Sequence, residues 1–164
     1  MGPQLTLKLA EPVPGASWRL VLPVRAVFST DFTNLKSQGL LFAPELSYAR
    51  RKVAGSAWTM SLTASSSFAT EALHRYFYAV DPAFARSDRP AYAARAGYLE
   101  SSLTAAVSRG IGEKLNVFVF GRATTLQGAA NASSPLLRDD LNLAIGAGFT
   151  YRLRRSTETV SAHD

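Results

Sequence analysis

The sequence of 164 residues contains no cysteine, which excludes disulfide frameworks, thiol nucleophiles and metal sites built on thiolates. Histidine is nearly as scarce, with His74 and His163 alone. A two-histidine, one-carboxylate metal centre needs both, yet His163 stands one residue from the C-terminus in a polar tail. Neither a metal nor a cofactor is expected, and the composition points away from an enzyme. Long apolar runs are missing too. The longest uncharged stretch, Val53 to Thr70, is filled with Ser and Thr, including Ser65-Ser66-Ser67, so a spanning helix is not expected. No basic stretch followed by an apolar core and a small-residue cleavage site opens the chain: Met1-Gly2-Pro3 runs straight into Leu5-Thr6-Leu7-Lys8-Leu9.

Charge is sparse, at 18% of residues, and leans one way: 18 Lys plus Arg against 12 Asp plus Glu give a formal charge of +6. Nucleic acid and anionic membrane are the two partners such a balance invites. The basic residues scatter and form no aromatic-interleaved groove, so nucleic acid is not expected. With 47% apolar residues, one folded unit is expected rather than disorder.

What the sequence has in abundance is alternation at period two, which places successive side chains on opposite faces of a strand. Leu141, Leu143, Ile145, Ala147, Phe149, Tyr151 and Leu153 share one face, opposed by Asn142, Ala144, Gly146, Gly148, Thr150 and Arg152. Trp18 to Phe28 and Trp58 to Phe68 form comparable rows. Shorter rows are Leu5–Leu9, Phe42–Tyr48, Leu99–Val107 and Leu115–Val119, making about seven strands. Several rows run for nine to thirteen residues, the length a tilted strand needs to cross a bilayer. Their second face is small and uncharged, which suits a narrow barrel interior. Trp18, Phe28, Tyr48, Trp58, Phe68 and Tyr151 stand near row ends, as interfacial girdles require. The expected fold is an all-β, antiparallel up-and-down transmembrane barrel over residues 1–153, followed by a polar tail at 154–164. A soluble barrel of lipocalin type is the alternative.

Connections support the first reading. Glu11–Gly15, Arg50–Ser56 and Gly110–Glu113 read as short turns, alternating with longer loops at Asp31–Gly39, Glu71–Tyr92 and Leu126–Asp140. Outer-membrane barrels alternate short periplasmic turns with longer outer loops in this way, and bacterial ones have even strand numbers. An odd count, with no export signal, leads to the expectation that N-terminal strands of a larger barrel precede this sequence. Gly110-Ile111-Gly112 and Gly146-Ala147-Gly148 lack the strand–GxGxxG–helix context of a dinucleotide loop and read as places where a barrel wall curves.

Two loops carry a family resemblance. Tyr76-Phe77-Tyr78-Ala79-Val80-Asp81-Pro82, with Arg89-Pro90-Ala91-Tyr92 and Ala96-Gly97-Tyr98 after it, resembles the hallmark loop of the MipA/OmpV family of outer-membrane proteins. Leu126-Gln127-Gly128-Ala129-Ala130-Asn131 and Ser133-Ser134-Pro135-Leu136-Leu137 resemble a second family loop, and the strand through Gly146–Leu153 closes the match. The resemblance implies a Gram-negative outer-membrane barrel without catalytic residues. Its best-described role is a scaffold joining a murein-cleaving lytic transglycosylase to a murein synthase; porin-like members are the alternative. The family loop positions are Tyr76, Phe77, Val80, Pro90, Tyr92, Gly97, Ser134 and Pro135.

Charge supplies the remaining candidates. With the short turns in the periplasm, Arg19, Arg50, Arg51, Lys52, Arg109, Lys114, Arg152, Arg154 and Arg155 collect at the inner rim. They would bind an acidic periplasmic partner or the carboxylates of murein peptides, or else meet lipid phosphate. Folding about the expected turns sets Arg25 near Glu45 and Glu100 near Arg122, as charge pairs of the lumen. Tyr76, Phe77, Tyr78 and Phe84 are expected to pack as a loop plug over the barrel mouth, or else to offer an aromatic binding surface.

Overall fold

Each strand carries one apolar row that must stay on a common side, and this governs how the chain folds. The computed structural model describes residues 2–53 and 56–153. It is an all-β protein with one short helix. In chain order the elements are β1 Gln4–Ala10, β2 Ala16–Thr30, β3 Leu35–Phe42, β4 Glu45–Arg51, β5 Trp58–Ala69, α1 Glu71–Tyr78, a 3-10 turn Pro82–Phe84, β6 Gly97–Ile111, β7 Leu115–Thr125 and β8 Leu141–Tyr151.

All strand pairs are antiparallel, in the order β1-β2-β3-β5-β6-β7-β8. Strand β4 also lies between β2 and β5, so β3 and β4 are two halves of one interrupted strand. Pro44 accounts for the interruption because it has no N–H to give to the ladder. Across the break, the Ala43 N–H donates to the Pro23 carbonyl at 3.3 Å and the Ser66 N–H donates to the Pro44 carbonyl at 3.2 Å. Eight strands therefore fill seven positions, the seven alternating rows of the sequence. Strands β1 and β8 end the path, and no pairing joins them among the described residues. The sheet is a barrel-like wall with two edges.

Strands β2 and β6 have 15 residues, β5 has 12, and β7 and β8 have 11 each. A tilted membrane crossing needs about 9–11. The register makes the two faces continuous. Leu62 lies opposite Tyr48 on one side and Ala105 on the other; Ala105 is opposite Gly121, and Gly121 is opposite Ile145. One residue along, Thr63 meets Ser47 and Thr104, and Thr104 meets Arg122. The apolar face is the open one: Ile145 is 84% exposed and Leu143 76%, whereas Ser102 on the polar face is 8% exposed. A half-buried soluble sheet has the reverse order. No helix of the described residues is long and apolar enough to cross a membrane.

Aromatic rings gather toward both ends of the apolar face. Trp18 and Tyr48, 4.9 Å apart, sit toward the short-turn end with Trp58; Phe42, Phe68 and Tyr98 form a chain of rings at 6.4 and 5.8 Å toward the other. On the polar face Phe118 lies opposite Gly148 and Phe120 opposite Gly146. A Cβ on Gly146 would stand 2.6 Å from the Phe120 ring, and one on Gly148 would stand 2.7 Å from Phe118. These glycines make room for two rings, a function that the expectation of wall curvature did not include.

The first long loop is a correction. Strand β3 begins at Leu35, so the expected loop Asp31–Gly39 shrinks to a tight turn at residues 31–34. The Asp31 carboxylate holds it, its Oδ1 accepting from the Thr33 N–H at 3.1 Å, the Asn34 N–H at 2.7 Å and the Thr33 hydroxyl at 2.8 Å. These bonds, with the Asn34 amide contributing most, lower its pKa to about 2. An irregularity at Val27/Phe28, opposite the segment Ser37–Gly39, further shifts the ladder; Gln38 is buried there, and its side-chain amide donates to the Ser29 hydroxyl at 2.6 Å. Arg25 therefore lies opposite Leu41 and Glu45 opposite Val21, so these two are not the cross-strand pair expected from a longer loop.

Candidate functional site

Two regions concentrate chemistry: a cap of loops at one end of the wall and a basic rim at the other. The cap is built by helix α1, the segment leading to β6, and the β7–β8 loop at residues 126–140. Helix α1 docks on β3 at Gly39, whose φ of +119° favours glycine. A Cβ there would collide with the Thr70 hydroxyl. Thr70 precedes the helix but spends its side chain on the wall, accepting from the Leu40 N–H at 3.0 Å. Its own N–H donates to the Leu40 carbonyl at 3.1 Å.

His74 and Asn131 form the centre of the cap, each 1% exposed. The Asn131 Oδ1 accepts from the Arg95 N–H at 2.9 Å, while its Nδ2 donates to the Arg95 carbonyl at 2.8 Å and faces His74 Nδ1 at 2.9 Å. Reversing the amide would set its NH2 against the Arg95 N–H. His74 Nδ1 is thus the acceptor, and Nε2–H donates to the Gly97 carbonyl at 3.1 Å. The Tyr92 hydroxyl adds contacts to Asn131 Oδ1 and the Ser133 hydroxyl, both at 3.3 Å. The Ser134 hydroxyl donates to the Tyr78 carbonyl at 2.8 Å. Val80 and Tyr92 exchange backbone hydrogen bonds at 3.0 and 2.9 Å.

The two family loops therefore meet in space. Val80, Tyr92, Gly97 and Ser134 all contribute to this network, with Pro135 half-buried beside it and Pro90 exposed after the Arg86–Arg89 turn. Tyr78 is pushed above the usual tyrosine pKa, first by burial and then by the nearby Glu100 carboxylate. The expected aromatic plug is different in the structure. Tyr76 and Phe77 pair edge to face at 5.0 Å but remain more than half exposed, and Phe84 is 69% exposed. The helix turns them outward because Leu73 and His74 occupy its buried side.

At the rim, strand register sorts the basic residues by face. Arg50 lies opposite Met60 and Arg109 opposite Trp58, in the apolar rows. The Arg109 guanidinium carbon is 5.3 Å from the centre of the Trp58 ring, a cation–π contact. Arg19 and Arg51 belong to the polar rows, opposite Ser47 and Thr59. Lys52 and Lys114 stand in the turns after β4 and β6, and the Lys114 carbonyl accepts from the Arg152 N–H at 2.8 Å. Arg154 and Arg155 lie outside the described residues. On the polar face, Arg122 Nη2 lies 3.9 Å from Glu100 Oε1, an ion pair that leaves both side chains partly exposed.

A family model described as MltA-interacting protein MipA matches residues 2–153. The chain belongs to the MipA family. Comparison with curated proteins and with solved structures returned no match. The family match spans both loops of the cap and all eight strands, so the whole described wall falls within it.

Proposed function

We propose that the chain is a non-enzymatic outer-membrane protein that gathers murein-remodelling enzymes, a lytic transglycosylase and a murein synthase, in keeping with a family named for its interaction with MltA. The observation that carries the membrane part is the inverted exposure of the wall, with Ile145 and Phe149 open and Ser67 and Ser102 covered. A soluble lipocalin-like binder would hide those apolar rows. The partner part rests on family membership and on cations at the short-turn rim. Arg50 and Arg109, in the apolar rows, are suited to lipid phosphate; Arg51, Lys52 and Lys114 are suited to an acidic protein surface.

The test is capture of the transglycosylase on immobilised, detergent-refolded protein across a salt series. Capture at low salt, released at high salt and weakened about tenfold or more when Arg51, Lys52 and Lys114 are all replaced by Glu, supports the scaffold. Salt-independent capture, or capture that survives the triple change, removes the rim from the reading. The polar, sparsely charged inner face supports a passive pore as the second reading. Stepwise conductance in a planar bilayer, altered by Arg122→Ala, is its expected signature.

A further inference from the structure

The register brings together a group of cations that the sequence leaves scattered. Lys8 of β1 lies directly opposite Arg19 of β2, and both belong to the polar face. A cleft of about 410 Å³ at the short-turn end is lined by these two, by Arg51 of β4 and by Ser17, with Glu11 its one carboxylate. Like charges directly opposite on neighbouring strands are destabilising. A carboxylate between them would relieve the repulsion, but among the described residues Arg122–Glu100 is the one ion pair within 4.0 Å. Three cations against one acid leave the cleft with an excess of two positive charges.

We propose that this cleft is an oxyanion site for a ligand of the phosphate class carrying at least two negative charges. Two guanidinium forks and an ammonium supply planar, multi-donor recognition of a tetrahedral oxyanion, and the Ser17 hydroxyl adds a neutral donor. Bound anion would convert the Lys8–Arg19 repulsion into a shared attraction. The phosphate arrives either on a soluble compound or on a lipid headgroup reaching round the rim.

The test uses the full chain refolded in a zwitterionic detergent, with no transglycosylase present, so its outcome is independent of the scaffold reading. One calorimetric titration uses inorganic pyrophosphate in lipid-free buffer; the other uses dihexanoyl-phosphatidylglycerol below its micelle-forming concentration. Saturable binding of pyrophosphate assigns a soluble source, and saturable binding of the lipid alone assigns a headgroup. In either case Lys8→Gln, Arg19→Gln and Arg51→Gln each weaken binding about fivefold or more. Arg75→Gln and Arg86→Gln, in the cap at the other end of the wall, change it less than about twofold. Far-UV circular dichroism establishes that each variant keeps its strands. No saturable binding in either titration overturns the proposal. So does an equal loss in the Arg75 and Arg86 variants, which would mark a diffuse charge effect.

Discussion

On the wall, Ile145, Leu143 and Phe149 stand 84%, 76% and 71% exposed, while Ser67 and Ser102 are covered. On the cap, Leu73, Val80, Ala94 and Leu126 are buried around the His74–Asn131 pair. The two regions belong to one chain and, on the proposed membrane reading, obey the same rule in different solvents. Apolar groups leave water where water is the solvent, and stay on the surface where hydrocarbon replaces it. The difference also separates what each region tolerates. On the apolar face of the strands, charge is confined to Arg50 and Arg109 at the short-turn end, whereas the cap is held by a few buried hydrogen bonds.

The strongest test of that contrast is a charge placed on either face of one strand. Leu62→Arg, in the middle of the apolar rows, is expected to cost about 2–4 kcal/mol in denaturant unfolding from lipid vesicles. Thr63→Arg, one residue along and facing the other way, is expected to cost under about 1 kcal/mol. Equal effects would abolish the distinction between the faces.

A more local effect is expected in the cap. Asn131→Leu removes the acceptor for the Arg95 N–H and the donor for the Arg95 carbonyl and His74 Nδ1. Each buried group left unpaired costs about 1–3 kcal/mol. Because the wall is paired without Asn131, the loss should appear as faster hydrogen exchange and proteolysis in residues 70–96 and 126–140, with the strands still protected. Uniform loss of protection in wall and cap would mean that they fold as one unit.

The smallest effect concerns the Asp31 turn, which is exposed. Its pKa is lowered from 3.8 to about 2, so the carboxylate's contribution is complete above the ordinary value and is lost as the pH falls from 3.8 through about 2. A carboxyl NMR titration of Asp31 should have its midpoint near 2, and the turn amides of Thr33 and Asn34 should shift with it. A midpoint near 3.8 would remove Asp31 as the holder of the turn.

The seven rows were legible because period two is a local property, and each row carries its own evidence of which residues share a face. The loop motifs were legible as a resemblance. The Arg25–Glu45 pairing was misread because register depends on the turn, and the Asp31–Asn34 turn was hidden inside what looked like a longer loop. His74 and Asn131 are 57 residues apart, and no local pattern connects a lone histidine on a short helix to an asparagine in another loop. The outward turn of Tyr76 and Phe77 was likewise invisible, since the helix had two candidate sides and only the position of β3 selects one.

By itself, then, the sequence determined that the chain is all-β, that its strands are long enough to span a bilayer, and that each has one apolar and one small polar face. Alternation and residue size suffice for that, being properties of neighbours along the chain. Only the tertiary structure decided which cations share a face, which halves make one interrupted strand, and where the two family loops meet. Those outcomes depend on register, and register is set by turns, by Pro44 and by the irregularity opposite Gln38, where a shift of one residue exchanges the two faces of a strand.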